Sequence, residues 1–179
     1  MSESMITTKT GDAGRTRLFS GEEVSKASPR PEAYGDLDEL VSMLGLAKAK
    51  VQHPELAAIL EQLQRDLFVA GSELAMTGEK LGGLSARIDA AYAERLTVAA
   101  ATAEARIPPP TGFILPGGTE AAAVLDVART IARRLERRVV EMTDGGLVEN
   151  SYLLVWLNRL SDYLWLLARL EEGDRTIQK

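Results

Sequence analysis

The apolar positions of the chain recur mainly three and four residues apart, the spacing of a helix with one buried face. Leu37, Leu40, Val41, Leu44, Ala47 and Val51 mark the first stripe. It follows Ser28-Pro29-Arg30-Pro31, where proline suits a first helical turn. Leu56, Ile59, Leu60, Leu63, Leu67, Ala70 and Leu74 mark a second, from His53-Pro54 to about Met76. A glycine-containing loop, Thr77 to Gly83, ends it. Ser85 can cap a third helix with Ile88, Tyr92, Leu96 and Ala99 inward, stopped by Pro108-Pro109-Pro110. Pro116-Gly117-Gly118 then reads as a turn and Thr119 as an N-cap. Val124, Leu125, Ala128, Ile131, Ala132, Leu135 and Val139 give a fourth helix, which Asp144-Gly145-Gly146 stops. A fifth runs roughly from Asn150 to Leu170 and is apolar almost all round, which places it centrally or at a subunit interface. Polar residues from Glu171 to Lys179 read as a frayed tail.

Residues 6–26 carry little periodicity, and no strand pattern or internal repeat stands out. The pattern therefore predicts a single all-α domain over 1–179. It divides into an irregular N-terminal arm (1–27), a five-helix bundle (28–171) and a flexible tail (172–179).

The polar positions add candidate chemistry. Arg129, Arg133 and Arg137 stack on one stripe of the fourth helix, with Arg134 and Arg138 on an adjacent one. Like charges at this spacing repel by a few tenths of a kcal/mol per pair. The stripe either pairs with Asp126, Glu136 and Glu141 nearby or meets an anion. The arm supplies hydroxyls from Thr8, Thr10 and Thr16, cations from Lys9, Arg15, Arg17 and Lys26, and flexible backbone at Gly11, Gly14 and Gly21. Those groups suit a polyphosphate, although on composition alone such a stretch is more often a flexible N-terminal arm than a site. The arm is neither a Walker A loop nor a Gly-x-Gly-x-x-Gly fingerprint. Asp36, Asp38 and Glu39 lie near the start of the first helix, where its dipole favours carboxylates, and can also reach a basic partner. Asn158, Arg159, Ser161 and Asp162 form a polar island in the last helix. A buried amide there must be hydrogen-bonded, so Asn158 serves either as an interhelical tie or as a ligand.

Composition narrows the field. A chain of 179 residues can bury a sizeable core, and a formal charge of −5 argues against non-specific nucleic-acid binding. The lack of cysteine excludes disulfides, thiolate metal sites and cysteine nucleophiles. His53, the only histidine, sits in an interhelix turn and supports neither a Ser-His-Asp triad nor a Glu-x-x-His di-iron site. Any metal is expected to be a hard cation such as magnesium, shared with phosphate, and no protein side chain is singled out as its ligand. The first residues carry no apolar signal region, and no run of about eighteen apolar residues occurs, so a soluble, cytoplasmic protein is expected.

Three separated segments carry a resemblance. TKTGDAGRTRLFSG (Thr8 to Gly21), with Lys26 and AYGDLDEL (Ala33 to Leu40), is the first; FILPGG followed by ARTIARRLERRVV is the second; LNRLSDYLWLLAR (Leu157 to Arg169) is the third. In order and spacing they resemble the PduO-type ATP:cob(I)alamin adenosyltransferases over nearly the whole chain. The resemblance implies a five-helix bundle forming a homotrimer, with active sites at subunit interfaces. It implies transfer of the 5′-deoxyadenosyl group of ATP to the cobalt of reduced cobalamin, with triphosphate leaving and magnesium on the phosphates. It places ATP on Thr8, Lys9, Thr10, Gly11, Thr16, Arg17 and Lys26, with further contacts from Arg133, Arg134, Glu136, Arg137 and Asn158. It pairs Asp38 with Arg129 across the interface and sets Phe113 beside the corrin, where it helps displace the lower axial ligand. Implied partners are ATP, cob(I)alamin, a reductase that supplies cobalt(I) and an adenosylcobalamin-dependent enzyme.

That chemistry needs no protein nucleophile, because cobalt(I) is the nucleophile, and no proton is abstracted. Positioning and electrostatic preorganisation are the levers left to the protein. Two other classes stay open on the residues alone. One is an ATP- or cobalamin-binding carrier or sensor without catalysis. The other is a structural bundle whose arginines only pair with acidic neighbours.

Overall fold

The structure, a computed structural model, describes residues 7, 9–110 and 112–173. It opens with an antiparallel hairpin, β1 (Arg15–Arg17) and β2 (Glu23–Ser25), in which Thr16 faces Val24. Five helices follow: α1 (Pro29–Lys50), α2 (Pro54–Leu74), α3 (Ala90–Glu104), α4 (Glu120–Asp144) and α5 (Ser151–Glu172). A 3-10 helix, Gly78–Gly83, lies between α2 and α3.

The periodic stripes decide the packing. α1 lies between α2 and α4, α4 between α1 and α5, and α5 between α4 and α3, with α2 also touching α5. The faces meet on Leu40, Leu44, Leu60, Leu67, Leu125, Leu135, Trp156, Leu160 and Leu164, all fully buried. Each such side chain stabilises the fold by about 1.5–3 kcal/mol relative to exposure. The nearly all-round apolar character of α5 thus reflects three helical neighbours.

The helices match the expected five in order and extent, with four differences at their margins. The arm contains a hairpin where no strand was expected, because strands of three residues are too short to show a period. α3 starts at Ala90 rather than near Ser85. Asp89 is the better cap, since its carboxylate accepts from the Ala91 and Tyr92 amides. The loop after α2 tightens into the 3-10 helix. Finally, α5 runs on to Glu172, and Glu171 and Glu172 are buried rather than frayed. Residues 174–179 of the expected tail lie outside the described residues. Thr119 does cap α4, accepting from the Ala122 amide. Among the described residues, no helix is long and apolar enough to cross a membrane.

Candidate active site

The arginines of α4 divide by environment. Arg134 donates from Nε to Asp36 Oδ1 at 3.0 Å and also reaches Glu39. Arg138 pairs with Glu32 at 3.0 Å and lies 3.9 Å from Asp36. These two clamp α4 to the acidic start of α1. The Asp36 hydrogen bond, reinforced by the charges of both carboxylates, pushes the Arg134 pKa up against the opposing effect of desolvation. Arg134, expected on ATP, is therefore already held by two carboxylates of its own chain. Arg133 and Arg137 face outward, and neither forms an ion pair among the described residues.

Glu136 and Asn158, both expected site residues, are brought together. The Asn158 amide donates to Glu136 Oε1 at 3.0 Å, and Arg159 donates to the Asn158 carbonyl oxygen at 3.1 Å. Asn158 is exposed rather than buried, so its tie between α4 and α5 lies at the surface. Arg133, Glu136, Arg137 and Asn158 then share one outward face with two cations uncompensated.

Arg129 is half-buried. Its Nε donates to Asp126 Oδ1 at 3.2 Å, one turn back on the same helix. That geometry leaves the two terminal nitrogens of the guanidinium for another acceptor. Asp38 is exposed on α1 and has no ion pair among the described residues. The chain does not pair it with Arg129 internally.

The described part of the arm is folded against the bundle. Leu18 is buried, the Phe19 amide donates to Ala75 O, and Lys80 donates to Ser20 O. Thr77 donates to Glu22, and hydrogen bonds from Ser20 and Thr77 hold the Glu22 carboxyl down at about 2. Beyond this anchor the chain curls between Lys9 and Gly14, with Asp12 N donating to Lys9 O and Gly14 N to Gly11 O. Lys9 takes a positive φ of 61°, the only non-glycine among the described residues to do so. Lys26 closes the curl from β2, donating its amide to Gly14 O at 2.9 Å. Its ammonium lies over Gly11, where a Cβ would sit 2.8 Å from Nζ. Lys9, Gly11 and Lys26 thus lie in one turn with Thr10, and Thr16 and Arg17 are on β1. Thr8 lies outside the described residues.

Phe113 stands fully exposed in the loop before α4, with Leu115 exposed beside it. The loop is pinned at Gly118, whose amide donates to Glu172 Oε1 at 3.0 Å. At the opposite end of the bundle a cleft of about 900 Å³ is lined by Arg30, Glu73, Arg87 and Asn150. Both of its arginines are engaged by this chain: Arg87 pairs with the buried Glu73 at 2.6 Å, leaving its own Nε buried without a hydrogen bond among the described residues, and Arg30 donates to Leu74 O and Leu147 O.

Reading the sequence named Asp126 as a partner for the arginine stripe, and it does pair with Arg129, but it missed that Asp126, Arg169 and Glu172 are buried near the Phe113 loop. Their signal was a charge on a face otherwise apolar, since Asp126 follows Leu125 on the buried stripe and Arg169 follows Ala168. Among the described residues no group of three or more His, Asp or Glu side chains converges to hold a metal.

A helical bundle that carries outward arginines without an ion pair among the described residues, and separately a glycine-threonine-lysine turn, offers groups suited to a polyphosphate ligand. Residues 6–171 match the cobalamin adenosyltransferase family, and the chain belongs to it. The corrinoid adenosyltransferase PduO of Citrobacter freundii is 46% identical over 169 residues, covering 94% of this chain and 50% of the relative. The corrinoid adenosyltransferase of Bacillus subtilis is 41% identical over 176 residues, covering 91% of this chain and 84% of the relative. The chain spans about half the length of the PduO relatives it matches. In structure it is similar to a variant PduO-type ATP:corrinoid adenosyltransferase from Lactobacillus reuteri complexed with cobalamin and ATP. That match has a TM-score of 0.84 at 36% identity and covers 92% of this chain and 89% of the other.

Proposed function

We propose that the protein transfers the 5′-deoxyadenosyl group of ATP to the cobalt of cob(I)alamin, forming adenosylcobalamin and triphosphate. The observation that carries this reading is the outward Arg133–Arg137 pair beside the Glu136–Asn158 hydrogen bond, in a chain of the cobalamin adenosyltransferase family. Cobalt(I) attacks C5′ of ATP, the C5′–O bond breaks, and its electron pair leaves with the triphosphate. Arg133 and Arg137 meet the charge that grows on the leaving group. Lys9, Thr10, Gly11 and Lys26 of the arm turn, with Thr16 and Arg17 of β1, wrap the phosphates with backbone amides, hydroxyls and charged groups; Thr8 joins them by the family resemblance alone. Removing one such preorganised donor costs roughly 3–4 kcal/mol of transition-state stabilisation in comparable sites.

The arm is anchored at the C-terminal end of α2, whereas Arg133 and Arg137 lie midway along α4. We infer that a site is completed between copies, the arm of one meeting α4 and α5 of the next in a homotrimer. Asp38 and Arg129, which do not pair within one chain, pair across that interface. Magnesium, a hard cation with oxygen ligands, would travel with the nucleotide and would help neutralise its phosphates. Phe113, apolar and exposed, packs on the corrin and keeps water and base from the cobalt. A reductase delivering cobalt(I) and an adenosylcobalamin-dependent enzyme are the partners this reaction requires before and after it.

The test is anaerobic incubation with magnesium-ATP and chemically reduced cobalamin, followed by visible absorption and triphosphate assay. A photolabile adenosyl-cobalt species with equimolar triphosphate is expected. Binding of both ligands without that species would mark a carrier or sensor instead. Absence of binding would leave only a structural bundle.

A further inference from the structure

We propose that Arg169 and Glu172, at the C-terminal end of α5, are positioning residues that set the corrin side of the site. The inference rests on the proposed adenosyltransferase reading for its consequence, but its geometry stands apart from it. The Arg169 side chain is 1% exposed. Its guanidinium donates to Asp126 Oδ2 at 2.6 Å and to Glu172 Oε1 at 3.2 Å, and its Nε lies 3.0 Å from Glu172 Oε2. The Trp165 ring covers it, with the centroid 5.5 Å away. One end of this buried group continues into an expected site residue, Arg129, and the other into Gly118, in the turn that follows Phe113. Asp126 receives the Arg129 Nε, and Glu172 receives the Gly118 amide. One chain of hydrogen bonds thus runs from the turn behind Phe113, through the bundle, to Arg129.

Two details show that the connection is built rather than incidental. Gly118 approaches Glu172 so closely that a Cβ there would meet Oε1 at 2.8 Å and Cδ at 2.9 Å. Only glycine permits this contact without moving the carboxylate. The charges also balance: two carboxylates face two guanidiniums, so removing one partner leaves an uncompensated buried charge. The Asp126 bond uses Arg129 Nε and so leaves the terminal nitrogens of Arg129 for a carboxylate such as Asp38 of a neighbouring copy. The Glu172 bond fixes the start of α4 and, five residues earlier, the base of the Phe113 loop.

The test compares Glu172→Gln, which keeps an acceptor for the Gly118 amide, with Glu172→Ala, which removes it. Hydrogen exchange over residues 112–119 is the first readout and needs no activity. Glu172→Ala is expected to speed exchange there by about tenfold or more, as an amide freed from a buried partner opens locally, with Glu172→Gln near the parent. Steady-state kinetics are the second. Glu172→Ala is expected to lower kcat about tenfold to a hundredfold and raise KM for cobalamin, with KM for ATP within about twofold, since a displacement near 1 Å suffices for such losses. Glu172→Gln should restore most of the rate. Arg169→Lys, which keeps charge but not the fork, should lie between. Unchanged exchange in a folded Glu172→Ala protein would overturn the proposal. So would equal damage to ATP and cobalamin kinetics, which marks general destabilisation. If the parent protein forms no adenosylcobalamin, the functional reading fails while the exchange experiment still decides the positioning.

Discussion

Arg133 and Arg134 are adjacent in sequence yet sit in different environments. Arg134 is engaged by Asp36 and Glu39, while Arg133 points outward without an ion pair among the described residues. Arg133→Ala is therefore expected to lower kcat/KM by about a hundredfold to a thousandfold, with the thermal midpoint unchanged. Arg134→Ala should do the reverse. Its side chain is 39% exposed, so solvent screening limits the stability loss to about 1 kcal/mol, and turnover falls less than in Arg133→Ala. Urea unfolding and initial rates on the two variants separate the roles. Equal catalytic losses would return Arg134 to the nucleotide. A second residue-scale case is Asn150. It caps α5 by accepting from the Tyr152 amide, and its amide group donates to the buried Glu73 and to Ile88 O. Asn150→Ala removes the cap and part of the Glu73 neutralisation together. A loss of about 2–4 kcal/mol in urea unfolding is expected. A loss below the value of a lone cap would mean Arg87 alone satisfies Glu73.

At the scale of elements, the arm is the informative case. Its hairpin is held to α2 and the 3-10 helix by Phe19 N, Ser20, Glu22 and Lys80. Glu22 has a folded pKa of about 2 against an ordinary value of 4.5. A carboxyl lowered on folding contributes stability that is present above 4.5 and lost as pH falls through 2. The arm should therefore detach over that window, and Glu22→Gln should detach it partly at neutral pH. Amide signals of residues 15–25, followed by NMR from pH 6 to 2, check this. Shifts that appear only together with bundle unfolding would refute a local arm transition. The same element shows what was legible in the sequence. The five helices were legible because each repeats its apolar stripe over several turns, from Leu37 to Val51 or Leu56 to Leu74. The arginine face and the Gly/Thr/Lys turn were legible because their groups are contiguous or four apart. The hairpin was not, since three-residue strands show no period. The division between Arg133 and Arg134 was not, since it depends on Asp36 and Glu39 almost a hundred residues away. The burial of Glu171 and Glu172 escaped for the same reason: polar residues past the last apolar stripe read as solvated until the Gln52 amide is brought to Glu171, and Arg169 and the Gly118 amide to Glu172.

The whole molecule raises the question of assembly. Within one chain the proposed nucleotide groups fall into two sets. The arm turn is fixed to the end of α2, and the outward arginines lie along α4. Asp38 is exposed without an ion pair among the described residues, and Arg129 keeps its terminal nitrogens beyond the Asp126 bond. Unlike surfaces that complement each other on one chain make a head-to-tail contact, and a rotation that closes such a contact gives a ring. If Asp38 of one copy meets Arg129 of the next, one bond supports both the ring and the site it encloses. Asp38→Asn should then weaken assembly and ATP affinity together, each by about tenfold, the scale of a charge-assisted hydrogen bond. Sedimentation across a concentration series reads the first and calorimetry with magnesium-ATP the second. Arg129→Ala should produce the same pair of losses, and the double variant should lose little more than either, because both single changes remove one shared interaction. Additive losses would place the two residues in separate contacts. An assembly and an ATP affinity that both survive Asp38→Asn would remove the cross-copy pair, and with it the reason for the arm and the arginine face to be supplied by different copies.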